Sequence, residues 1–120
     1  MIRLSIVIAA LLAAPAFSQG APMEEEIDRL ILSLGQQRCS FIRNGRQYSR
    51  RDARAHLRSK VERNVHLIDS TEDFIRKLAT HSVTTGKPYL VRCSGRPETT
   101  ANAWFSEMLA KQRAAELERF

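Results

Sequence analysis

From Leu4 to Ala14 the chain is apolar and uncharged, and only beyond it do hydrophobic positions become periodic. Ile27, Leu30, Ile31 and Leu34 fall at i, i+3, i+4 and i+7, one face of a helix. Glu24, Glu25 and Glu26 precede them, where acids favour a helix start, and Gly35 follows as a stop. A helix over Met23–Leu34 is predicted. The pattern then changes period. Cys39, Phe41 and Arg43 alternate with Ser40 and Ile42, and Asn44-Gly45 supplies a tight turn. Gln47-Tyr48 completes a short hairpin.

Helical spacing returns after Ser49. Ala53, Leu57, Val61 and Val65 recur every four residues, and Ser49 with Asp52 has the spacing of a capping box, so a helix over Arg50–Val65 is expected. Asp69-Ser70-Thr71 starts another, with Phe74, Ile75, Leu78 and Ala79 as its stripe and an end near Thr80–Ser82. Ser82 to Pro88 reads as a loop. Tyr89 to Cys93 is the best strand in the chain. A last helix, capped by Thr99 or Thr100, carries Trp104, Phe105, Met108 and Leu109 on one face.

The apolar N-terminal run changes the picture first. Arg3 precedes it, Pro15 breaks it, and Ala16-Phe17-Ser18 places small residues three and one before a cut ahead of Gln19. That is the layout of a secretory signal peptide over residues 1–18. The run is shorter than the roughly 20 residues a spanning helix needs. The expected mature chain, residues 19–120, is one small domain that is exported, not membrane-spanning. In that compartment the only two cysteines, Cys39 and Cys93, read as a disulfide rather than two buried thiols. Closing a loop of this length stabilises by about 4 kcal/mol in a chain-entropy account.

These elements together predict an α+β fold: about four helices packed on a small antiparallel sheet, pinned by one disulfide, with Trp104 and Phe105 in the core.

Several of these segments are shared with a known group of proteins. Cys39-Ser40-Phe41-Ile42-Arg43-Asn44-Gly45, then Tyr48, then Ala55-His56-Leu57-Arg58-Ser59-Lys60 resemble the YfeK-like family of short exported bacterial proteins, a domain of unknown function. So do Asp69-Ser70-Thr71-Glu72-Asp73-Phe74-Ile75, Ser82 and Gly86-Lys87-Pro88-Tyr89. The resemblance spans Glu24 to Trp104. It implies a periplasmic location and brings no activity, cofactor or catalytic residue.

Charge supplies the remaining lead. The whole chain carries +6 with a pI near 10.0, and loss of the signal segment removes one arginine. Such a balance suits anionic partners, and outside the cytoplasm these are lipid head groups, envelope polymers or acidic proteins rather than nucleic acid. The Arg43-Asn44-Gly45-Arg46 turn and the start of the next helix suggest an anion-binding patch of Arg43, Arg46, Arg50, Arg51 and Arg54, since arginine reads carboxylate and phosphate bidentately. An ordinary solvated basic face accounts for the same residues.

Other chemistry is poorly supported. His56, His66 and His81 share no metal-ligand spacing, so no metal or cofactor is expected. His56 sits at the margin of an apolar stripe, where a packed, hydrogen-bonded histidine is the ordinary reading. Thr84-Thr85-Gly86-Lys87 lacks the first glycine, the hydroxyl residue after Lys87 and the leading strand of a phosphate loop. No serine has a lysine one helical turn away as a serine-lysine hydrolase requires. The acids at Glu24–Glu26 and Glu72-Asp73 have the simpler role of helix-start charges. The sequence therefore favours a non-enzymatic envelope protein that binds an anionic partner. An inhibitor or accessory subunit of another exported protein is the alternative, and an enzyme of unknown class comes third.

Overall fold

The computed structural model describes residues 22–119; the segment read as a signal peptide lies outside them. Helix α1 (Met23–Gln36) leads into a hairpin of β1 (Cys39–Arg43) and β2 (Arg46–Tyr48), then α2 (Arg50–Arg63). After a 3-10 turn at Val65–Leu67 come α3 (Thr71–Asp73) and a π-helical turn (Phe74–Leu78). Strands β3 (Leu90–Cys93) and β4 (Thr99–Thr100) precede α4 (Ala101–Leu117). The fold is α+β, as the hydrophobic pattern predicts.

The four strands lie in the order β2-β1-β3-β4, every pair antiparallel. The hairpin turn places Asn44 at φ 51° and Gly45 at φ 76°, the two positive values that a two-residue hairpin with the sheet's own twist demands. Cys39 stands directly opposite Cys93 and is bonded to it, with Cα atoms 4.0 Å apart. Side chains alternate along a strand, so Cys39, Phe41 and Arg43 share the face that the helices cover. Phe41, Leu30, Leu57, Phe74, Val91, Trp104 and Phe105 fill the core there.

Side-chain caps set several helix starts. Ser49 accepts from the Asp52 amide and Ser70 from the Asp73 amide, each at 3.1 Å, and Thr100 accepts from the Ala103 amide at 3.2 Å. Ends depart from the sequence reading. Gly35 does not stop α1; the chain reverses at Arg38, which takes φ 53°. Gly35 serves a close approach instead. A Cβ there would meet the Arg50 side chain at 3.3 Å, and its carbonyl accepts from Arg50 Nη1 at 3.0 Å.

Helix α2 ends at Arg63 rather than Val65, because Asn64 Nδ2 satisfies the Lys60 carbonyl at 2.8 Å and the chain tightens. The third helix widens into a π turn and stops at Leu78. The Ala79 amide reaches back to Phe74 at 3.0 Å, and Thr80 Oγ1 caps the Ile75 carbonyl at 2.6 Å. The wider turn keeps Phe74, Ile75, Leu78 and Ala79 all buried. Strand β4, unforeseen from sequence, pairs Thr99 and Thr100 with Val91 and Leu90.

One polar interaction ties the helices together. Glu26 is not just a helix-start charge: it is buried, and Arg113 grips both its oxygens at 3.2 and 2.9 Å while also reaching Glu72. Burial alone would raise the Glu26 pKa, but the hydrogen bonds and charge of Arg113 outweigh it and hold the carboxyl below its ordinary range.

Candidate functional site

The polar centre of the molecule lies where β1, α2 and the start of β3 meet. Register decides its membership. Cys39 faces Cys93, and the register runs on to Ile42 opposite Leu90, which brings Arg43 and Tyr89 to the same end of the two strands. The Tyr89 ring, 1 % exposed, packs on Phe41 with centroids 4.9 Å apart. Its hydroxyl points at α2. There His56 and Lys60 stand one helical turn apart on the same flank.

Lys60 Nζ donates to the Tyr89 hydroxyl at 3.0 Å, and His56 Nε2 lies 3.2 Å from the same oxygen. A lysine ammonium only donates, so the phenol oxygen accepts from it, leaving the phenol proton for His56. His56 suits that acceptor role. Burial, then the charges of Arg43, Lys60 and Arg63, lower its pKa from 6.5 to about 4, so the ring is neutral at pH 7. The ring is fixed on its other side too, stacked against Tyr48 with centroids 6.4 Å apart. Tyr48 in turn accepts from Arg43 Nη1 at 3.3 Å.

Arg43, His56, Lys60 and Tyr89 line a cavity of about 440 Å³ whose wall continues through Arg63, Thr84 and Val83. Every charged side chain in that lining is a cation. Among the described residues no carboxylate pairs with Arg43, Lys60 or Arg63. Lys60 is only 5 % exposed, and Arg43 Nε is buried with no hydrogen-bond partner among the described residues. The rim loop is held in place. Asn44 Nδ2 donates to Ser82 at 3.3 Å, Thr85 donates to Asn44 Oδ1, and Ser82 and Thr84 share a hydrogen bond of 3.0 Å.

The five arginines suggested by the sequence have different surroundings. Arg43 enters the cavity. Arg46 lies over the Tyr48 ring, 5.7 Å from its centroid. Arg50 is drawn to the Gly35 carbonyl at the end of α1. Arg51 and Arg54 are exposed on α2, which sends Arg58 to Asp28 of α1 at 3.0 Å. A helix turns 100° per residue, so Arg54 and Arg58 share the α1 flank, while His56, Lys60 and Arg63 share the other. The sequence reading gives Lys60 no role of its own and makes Tyr89 an ordinary strand residue. The signal that finds Tyr89 is the disulfide register, which brings it to the Arg43 end of the sheet.

Among the described residues, no group of three or more His, Cys, Asp and Glu side chains could hold a metal ion. No helix among them is long and apolar enough to cross a membrane.

The family model described as "Family of unknown function (DUF5329)" matches residues 21–113. The chain belongs to this family. The DUF5329 match encloses the whole cavity, from Arg43 to Tyr89. The chain is also 39% identical over 85 residues to "Uncharacterized protein YfeK" of Salmonella typhimurium (strain LT2), covering 69% of this chain and 71% of that protein. The YfeK-like resemblance read from the sequence therefore holds. No solved structure matches the chain.

Proposed function

We propose that this member of DUF5329 is an exported, non-enzymatic protein of the bacterial envelope that holds an anionic partner at the Arg43–Lys60 cavity. One observation carries the reading: Lys60 is buried beside Arg43 and Arg63, and no carboxylate of the described residues balances them. A buried charge without a counterion is costly, and the cost falls when an anion enters. The exposed arginines Arg46, Arg50, Arg51 and Arg54 add a long-range field that draws such a partner in. Export is supported by the Leu4–Ala14 run with its Ala16-Phe17-Ser18 end, and by the disulfide, which persists in oxidising compartments.

The test measures binding to anionic vesicles and envelope polymers at low and high salt. The Arg43→Gln variant is compared with Arg50→Gln/Arg51→Gln/Arg54→Gln. The cavity variant should lose the bound state at all salt concentrations, and the surface variant should lose mainly its low-salt enhancement. Equal binding by wild type and the cavity variant would reject the cavity as the site.

A further inference from the structure

Building on the reading that the cavity holds an anion, we infer that its occupant is a compact, doubly charged oxyanion of phosphate-monoester or sulfate type, not a carboxylate. Charge balance is the first argument. Arg43, Lys60 and Arg63 bring three positive charges to one cavity whose lining contains no acid. A carboxylate neutralises one of them and a dianion two, so the dianion removes more of the repulsion among them.

Donor geometry is the second argument. Lys60 spends one of its three N–H groups on Tyr89 and keeps two. Arg43 Nε–H is buried and unpartnered among the described residues. His56, neutral and accepting at Nε2, carries its proton on Nδ1 as a further donor. Arg63 spends Nε on the Ser59 carbonyl, which leaves its terminal nitrogens. These donors come from β1 and two successive turns of α2, and Thr84 of the rim loop borders the same cavity. A planar carboxylate offers two oxygens to donors arriving from one side. A tetrahedral group offers three or four in different directions, which matches donors spread around a wall.

The group can come from a soluble molecule or from a lipid head group, and the chemistry at the cavity is shared. The experiment is thermal unfolding and calorimetric titration of the purified mature protein at constant ionic strength. The probes are sulfate, glycerol phosphate, succinate and acetate, with vesicles of phosphatidic acid or phosphatidylglycerol as a second arm. Sulfate and glycerol phosphate should raise the unfolding temperature, whereas succinate and acetate should not. Arg63→Gln, on an exposed side chain that leaves the core untouched, should weaken the two dianions about tenfold, the scale of one charge-assisted hydrogen bond. Arg51→Gln/Arg54→Gln should leave them unchanged at physiological ionic strength, where the long-range field of these exposed charges is screened.

In the vesicle arm, preference for phosphatidic acid over phosphatidylglycerol, reversed by glycerol phosphate, assigns the group to a head group. Binding of glycerol phosphate with neither vesicle bound assigns it to a soluble molecule. Equal stabilisation by carboxylates overturns the dianion inference and leaves the anion reading standing. No stabilisation by any probe and no vesicle binding overturns both.

Discussion

Lys60 donates to the Tyr89 hydroxyl at 3.0 Å from the turn after Leu57, and both residues are closed off from solvent although one of them is an ammonium ion. The lysine stem lies along the core margin, as long cationic side chains do, but its head reaches a cavity instead of open water. Nothing in the fold itself requires a charge there. The predicted consequences follow from that placement.

Lys60→Met should uncouple stability from binding. Replacing a buried, uncompensated charge by an apolar side chain of similar length removes both desolvation and repulsion from Arg43 and Arg63. The ligand-free protein should gain about 1 kcal/mol, or at worst be unchanged. Tyr89 keeps its hydrogen bond to His56. Anion binding should be lost. Urea unfolding with and without sulfate checks both halves; a variant that is much less stable in the absence of anion would show that Lys60 is a structural residue.

His56 gives the molecule a defined pH response. Its folded pKa, about 4, lies below its ordinary 6.5, so between these values the unfolded chain binds a proton that the folded one does not. Stability from this group is complete above about pH 6.5 and is lost as pH falls towards 4. The ring is partly exposed, and screening reduces the effect to on the order of 1–2 kcal/mol. Subtracting the urea midpoints of His56→Gln from those of the wild type across pH 4 to 8 should isolate this slope. A difference that is flat with pH would contradict the placement of His56 among Arg43, Lys60 and Arg63.

Much of this arrangement is legible in the sequence, and the illegible part has physical causes. The Ile27–Leu34 stripe, the Asn44-Gly45 turn, and the Ser49 and Ser70 caps are local signals and fold as read. The cysteine pair is legible from the expected export together with the fall of both cysteines in predicted strands. The stop of α1 differs from the sequence reading because Arg38, not Gly35, takes the left-handed conformation, while Gly35 is small to admit Arg50. The π turn at Phe74–Leu78 arises from core packing, which no spacing rule encodes. Chain proximity suggests the arginine patch, but a helix separates neighbours by angle. Arg50 and Arg54 share the flank where Arg58 reaches α1, and His56, Lys60 and Arg63 take the other, facing a tyrosine 29 residues beyond Lys60.

The Glu26–Arg113 pair should respond unequally to its two truncations. Arg113→Met leaves a buried carboxylate without its guanidinium, costing about 2–3 kcal/mol at neutral pH. Glu26→Gln leaves a half-exposed guanidinium that still reaches Glu72 and water, costing about 1 kcal/mol. Because the folded pKa of Glu26 lies below its ordinary value, the pair's contribution is present above about pH 4.5 and fades as pH falls through the folded value. Chemical denaturation of both variants at pH 7 checks the order, and equal losses would speak against it.

Reduction should reveal how much the sheet depends on its staple. The Cys39–Cys93 bond closes a loop with a sequence separation of 54. Cys39→Ala/Cys93→Ala should lose on the order of 4 kcal/mol in a chain-entropy account. Free-thiol titration of the denatured, oxidised wild type should find no thiol.

The most direct test of the anion cavity is a nuclear magnetic resonance titration of the mature protein with sulfate at constant ionic strength, following backbone amides and the side-chain signals of Arg43 Nε and the His56 ring. The account predicts saturable shifts concentrated on Arg43, His56, Lys60, Arg63 and Thr84, with the His56 pKa rising as the anion offsets the neighbouring cations. Shifts centred on Arg51 and Arg54, or shifts that never saturate, would contradict it.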